Sequence, residues 1–91
     1  MKDIQIIIKK ICIIKKLQYS FNEKSIVVFN NFYYIFMKIQ NNKIVIHRNW
    51  RFKILGYFIF KKKYLEMISL YNEIVTVLRK ENFNVEEIVK N

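Results

Sequence analysis

His47 is the single imidazole in the chain and Cys12 the single thiol, so these two side chains bound the acid–base and nucleophilic chemistry available. His47 opens a basic run, His47-Arg48-Asn49-Trp50-Arg51-Phe52-Lys53. A small ribonuclease would use such a histidine as a lone general base, with Arg48, Arg51 or a lysine stabilising charge on the phosphate. The competing reading is a histidine hydrogen-bonded within a strand or placed on a binding surface, and the rest of the chain favours it. Carboxylates number only 7 against 17 lysines and arginines, and no paired acids, metal-ligating cluster or nucleophile beside a base stands out. A single glycine rules out a glycine-rich phosphate loop. Cys12, set among isoleucines and lysines, reads as a small buried apolar residue that forms no internal disulfide. That fits a reducing compartment, with cytoplasm as the expected location. The expectation is a chain with no catalytic residues, no metal, no cofactor and no small-molecule substrate.

The same run is better suited to binding. Single-stranded nucleic acid is held by bases stacked on exposed rings while cations follow the phosphates, and arginine can do both. Trp50 between Arg48 and Arg51 supplies these parts, and Lys43, His47 and Lys53 lie close in sequence, with Lys61, Lys62 and Lys63 following. These nine residues are the candidate binding set. Tyr33, Tyr34, Phe36 and Phe52 extend a platform if the chain turns them outward and belong to the core if it does not. The three lysines also open a helical stretch, where cations oppose the macrodipole; a solvated helix start and a phosphate clamp are both open readings of them.

The elements that must position these residues are antiparallel strands. Phe32–Ile39 alternates Phe32, Tyr34, Phe36 and Lys38 with Tyr33, Ile35, Met37 and Ile39. If Asn41-Asn42 forms a two-residue turn, Gln40 falls opposite Lys43, Ile39 opposite Ile44, Met37 opposite Ile46 and Ile35 opposite Arg48. The other face then pairs Lys38 with Val45, Phe36 with His47 and Tyr34 with Asn49. Ser25–Phe29 is a short β-branched strand before the Asn30-Asn31 step, and Gln18–Lys24 reads as a polar connection turning at Asn22 and Glu23. Asn49–Arg51 is expected to turn into a further strand, Phe52–Phe60, in which Gly56 marks a bulge or a close backbone approach.

From Lys61 the period becomes helical, with Tyr64, Met67, Ile68, Tyr71, Ile74, Val75 and Leu78 in one stripe that needs a sheet to cover. Asn84 and Glu87 match a capping box and predict a short final helix. The first segment, Asp3–Leu17, carries Ile4, Ile7, Ile8, Ile11 and Ile14 at helical spacing with Asp3 placed to cap it, whereas isoleucine's β preference suggests buried strands. We read it as a helix. The fold class is α+β: one domain over residues 1–91, with a small antiparallel meander of three or four strands covered by a long C-terminal amphipathic helix, and an N-terminal helix.

Size and charge complete the reading. At 91 residues, 53% of them hydrophobic, the chain can order around one core. Residues 1–63 hold 14 basic side chains against Asp3 and Glu23, a net of +12, while the remainder is net −2. Basic charge so placed attracts polyanions or acidic protein surfaces, though the Ile, Asn, Lys, Phe and Tyr bias also matches an A/T-rich coding sequence. Lys9 and Lys10 interrupt the first apolar run, and the longest charge-free stretch, Ser25–Met37, is 13 residues, too short to span a bilayer. Membrane-surface binding through the N-terminal isoleucines and Lys9, Lys10, Lys15 and Lys16 is disfavoured, because packing on the sheet accounts for the same stripe. The leading expectation is a non-enzymatic protein engaging RNA or a ribonucleoprotein through a basic, aromatic sheet surface. The alternative is a small inhibitor of the kind phages and mobile elements encode, sharing the general profile of anti-CRISPR proteins and acting on an RNA-guided nuclease or its guide RNA, that is, on a protein effector with bound RNA.

Overall fold

The computed structural model describes residues 2–52 and 60–88. Helix α1 (Lys2–Lys15) leads into strands β1 (Gln18–Phe21), β2 (Ser25–Phe29), β3 (Tyr33–Gln40) and β4 (Lys43–Trp50); helix α2 (Lys61–Lys80) follows, and strand β5 (Asn84–Ile88) ends the described chain. Among the described residues the sheet has five strands in the order β1-β2-β3-β4-β5. The first four form an antiparallel meander, and β5 pairs parallel with β4, the geometry that a helical crossover such as α2 permits. The architecture is therefore the expected α+β unit with one or two more strands than the sequence suggested.

Asparagine does much of the turning in a chain with one glycine. Among the described residues four non-glycines have positive φ: Asn41 at 37°, Asn42 at 67°, Asn82 at 68° and Lys16 at 57°. The two in the β3–β4 hairpin give the turn that a two-residue loop requires, and the register follows as expected, Gln40 opposite Lys43 through Ile35 opposite Arg48. At the β2–β3 turn the Asn30 side-chain oxygen accepts from the Phe32 and Tyr33 amides at 2.8 and 3.0 Å, an Asx turn that fixes where β3 starts.

Both helices end in a Schellman arrangement. After α1 the Leu17 amide donates to the Cys12 carbonyl at 2.9 Å and Lys16 to Ile13 at 3.4 Å; after α2 Phe83 donates to Leu78 and Asn82 to Arg79, both at 3.0 Å. The left-handed residue is ordinarily glycine, and a side chain bearing Cβ there costs about 1 kcal/mol. Lys16→Gly should therefore raise stability by roughly 0.5–1 kcal/mol, offset in part by the freer unfolded chain; a higher urea midpoint at unchanged slope is the expected readout.

One face of the sheet is the core. Ile26, Val28, Tyr33, Ile35, Met37, Ile44, Ile46 and Val85 line it, covered by Ile4, Ile8 and Cys12 of α1 and by Met67, Leu70, Tyr71, Ile74, Val75 and Leu78 of α2. The two helices lie in one layer, tied by Lys15 Nζ to Glu73 Oε2 at 3.8 Å. The stripe on α1 sits differently from its prediction: Cys12 is in the core and Ile14 is 79% exposed, because the helix buries the arc centred on Ile8. Leu70 joins the α2 stripe.

Three expectations are corrected. Gln18–Lys24 is not all connection, since Gln18–Phe21 forms β1 against β2 and only the stretch around Asn22 and Glu23 turns, with the Asn22 amide donating to the Ser25 carbonyl at 2.8 Å. Asn49 and Trp50 continue β4 opposite Tyr34 and Tyr33 rather than turning. Asn84–Ile88 is a strand and not a helix, because ladder pairing with β4 outweighs a five-residue local helical signal. The predicted strand Phe52–Phe60, with Gly56, lies at positions 53–59 outside the described residues.

Candidate nucleic-acid interface

Alternation along the strands divides the candidate residues between the two sides of the sheet. Tyr34, Phe36 and Lys38 of β3 pair with Asn49, His47 and Val45 of β4 and with Phe29, Val27 and Ser25 of β2, so all lie on the face opposite the core. This open face carries Phe29, Tyr34, Phe36 and His47 half-buried and Lys38 exposed. No described helix packs on it, since the contacts of α1 and α2 with the core fall on the other side.

The open face joins rings to cations. Phe36 and His47 lie 5.3 Å apart at 38°. The Arg51 guanidinium sits 5.2 Å from the centre of the Tyr34 ring, its Nε donating to the Asn30 carbonyl at 3.1 Å. Asn49 Nδ2 lies 2.7 Å from His47 Nδ1; with the amide as donor, the neutral ring keeps its proton on Nε2. Lys43 is on the same face, with Nζ 3.5 Å from Glu86 Oε2 of β5, which partly offsets its charge.

Arg48 and Trp50 point the other way, so of the basic run the open face keeps His47 and Arg51 and not Arg48 or Trp50. Arg48 lies over the Tyr71 ring of α2 at 4.9 Å, close to the Arg79–Glu87 ion pair at 3.2 Å. Trp50 packs against Phe52 at 5.6 Å and Tyr64 at 5.5 Å, in an aromatic cluster with Phe32 and Phe60. Its indole Nε1 is buried with no hydrogen-bond partner among the described residues. A run reading Arg-Asn-Trp-Arg sends alternate side chains to opposite faces once it is a strand; only the turn expected there would have kept them together. Lys53 lies outside the described residues. Lys61 and Lys62 are exposed at the start of α2, and Lys63 is engaged by Glu66 at 3.6 Å and by the face of Phe32 at 5.5 Å.

Of the residues named from sequence, the structure brings together His47, Arg51, Tyr34, Phe36 and Lys43. Phe29, Lys38 and Asn49 join them, and the strand parity of Ser25–Phe29, carried through the Asn30-Asn31 turn, was the signal that places Phe29. Tyr33, by contrast, is fully buried, its hydroxyl donating to Glu66 Oε2 at 2.8 Å. Among the described residues no three His, Cys, Asp or Glu side chains gather as a metal site needs. A recess between α1, β3 and α2, lined by Lys15, Leu17, Tyr33, Glu66, Ser69 and Leu70, holds about 230 Å³, smaller than the ~300–1,000 Å³ of most small-molecule sites.

Buried acids on the core side set an alkaline limit. Burial pushes the Cys12 thiol from 9.0 up to about 11. Burial, helped by Glu87 and opposed by Arg48 and Arg79, pushes Tyr71 from 10.0 up to about 12; burial and Glu66 raise Tyr33 further still. Each folded-state pKa lies above its unfolded value, so the folded chain holds more protons and stability falls as pH rises. Urea midpoints should decline steadily as pH rises from about 9 to 12.

Comparison with protein-family models, with curated proteins and with solved structures finds no match to this chain.

Proposed function

We propose that the chain is a non-enzymatic RNA-binding protein that holds single-stranded RNA on the open face of its sheet. The observation that carries this reading is the juxtaposition of Tyr34, Phe36 and His47 with Arg51 lying over Tyr34 on one half-exposed sheet surface. Rings two residues apart on one strand stand about 6.8 Å apart, which suits successive splayed bases better than a continuous stack. Lys38, Lys43 and Arg51 serve the phosphates, and base–ring stacking supplies sequence-tolerant affinity. Polar side chains at the same surface, Ser20, Gln40, Asn49 and Asn84, offer donors and acceptors to 2′-hydroxyls. Duplexes hide their base faces, so single strands should bind more tightly.

The test is affinity capture of the tagged chain from cells of its natural source, with and without ribonuclease, followed by RNA sequencing and protein identification. Recovered RNA, and protein partners that vanish after ribonuclease, are the expected result. One stoichiometric protein that survives the treatment, in particular an RNA-guided nuclease, would overturn this reading in favour of an inhibitor.

A further inference from the structure

Helix α1 buries one arc and leaves apolar side chains on the opposite one. Ile6, Ile13 and Ile14 are 54%, 63% and 79% exposed. At about 100° per residue, Ile6 and Ile13 project opposite the Ile4, Ile8 and Cys12 arc, with Lys9 and Lys10 to either side and Ile14 beyond Lys10. Lys9, Lys10, Lys15 and Lys16 are exposed, and Asp3 is the single acidic residue of the helix. Three solvent-facing isoleucines framed by lysines need an occupant that is both apolar and anionic.

We infer that the outward face of α1 docks on an anionic lipid surface, with Ile6, Ile13 and Ile14 in the acyl boundary and Lys9, Lys10 and Lys16 at the headgroup phosphates. Charge decides among the occupants. In an antiparallel pairing of two copies, Ile6 of one would meet Ile13 of the other, but Lys9 and Lys10 of both would crowd the centre of the contact. Nucleic acid would use the lysines and leave the isoleucines wet, because isoleucine has no π face on which a base can stack. A lipid surface takes both: lysine stems lie along the apolar layer while their ammonium groups reach the phosphates. The 14-residue helix is too short to span a bilayer, and no described helix is long and apolar enough to cross one, so the chain lies on the surface. The docking face belongs to the helix layer and the RNA face to the other side of the sheet, so neither occludes the other.

The experiment is flotation of the full chain with phosphatidylcholine vesicles and with vesicles doped with phosphatidylglycerol, repeated for Ile6→Ser/Ile13→Ser and Lys9→Gln/Lys10→Gln. The wild type should float with doped vesicles and remain free with neutral ones. The isoleucine variant keeps every charge and should bind about tenfold or more weakly, and each lost lysine should cost about fivefold. If the isoleucine pair perturbs folding by circular dichroism, Ile14→Ser, at the most exposed of the three positions, replaces it with the same expected direction. Equal binding by the wild type and the isoleucine variant would reduce the effect to charge adsorption and overturn the proposal. So would the absence of binding to doped vesicles, or a concentration-dependent dimer that the isoleucine variant abolishes.

Discussion

Tyr34→Ala combined with Phe36→Ala should weaken binding of a single-stranded oligoribonucleotide by between about 30-fold and 10⁴-fold, because each base–ring stack is worth roughly 1–3 kcal/mol by alanine substitution. The two rings lie on the open face and are half-buried. Their loss from the fold removes four cross-strand pairs, with Asn49 and His47 on β4 and with Phe29 and Val27 on β2, each worth only about 0.2–1 kcal/mol. Binding should therefore fall much further than stability, the separation that marks a binding residue. Fluorescence anisotropy at fixed salt gives the affinity, and urea denaturation of the same variant gives the stability. With Lys38, Lys43 and Arg51 as phosphate partners, the wild-type log–log salt slope should lie near about −2, since each neutralised phosphate of a single strand contributes about −0.7. Arg51→Ala should make the slope shallower. Arg48→Ala, on the helix-covered side over Tyr71, should leave it unchanged.

Trp50 should show the opposite division. Its ring is packed by Phe32, Phe52 and Tyr64, so Trp50→Ala should destabilise the fold by about 3–5 kcal/mol. That is a large part of the roughly 5–14 kcal/mol expected for a domain of this length. Trp50→Phe keeps most of the ring packing and also removes the buried indole N–H that has no partner among the described residues, a group that costs about 1–3 kcal/mol to leave unsatisfied. The phenylalanine variant should accordingly lie within about 1 kcal/mol of the wild type. Chemical denaturation measures both, and RNA affinity measured under conditions where each variant is folded should be unchanged. An affinity loss in folded Trp50→Phe would return tryptophan to the interface.

The contrast between these two positions shows what could be read from the chain. The register of the β3–β4 hairpin was legible, though not its ends, because Asn41-Asn42 fixes the turn and the alternating apolar set Tyr33, Ile35, Met37 and Ile39 fixes which face is inward. Helix α2 was legible because its stripe, Tyr64 to Leu78, runs through about four turns. The side of the sheet on which Trp50 lies was not legible, because it depended on whether the chain turned at Asn49 or continued as strand, and a strand alternates its side chains between faces. Strands β1 and β5 were hidden because QYSF and NVEEI are only four and five residues long; β1 is exposed along most of its length and so shows no apolar alternation, and β5 is held by pairing with β4, far away in sequence. In α1 the isoleucines occur on every side of the helix, so periodicity gave the helix but not which arc faces the core; that was decided by the position of Cys12 against the sheet.

The open sheet face as the RNA surface is tested most directly by photocrosslinking a 4-thiouridine-containing single-stranded RNA to the chain and mapping the modified residues by mass spectrometry. Adducts are expected at Phe29, Tyr34, Phe36 or His47, lost when an unlabelled single strand competes and retained when an unlabelled duplex does. Adducts confined to Trp50, to the lysines at the start of α2 or to α1, with the open face unmodified, would contradict it.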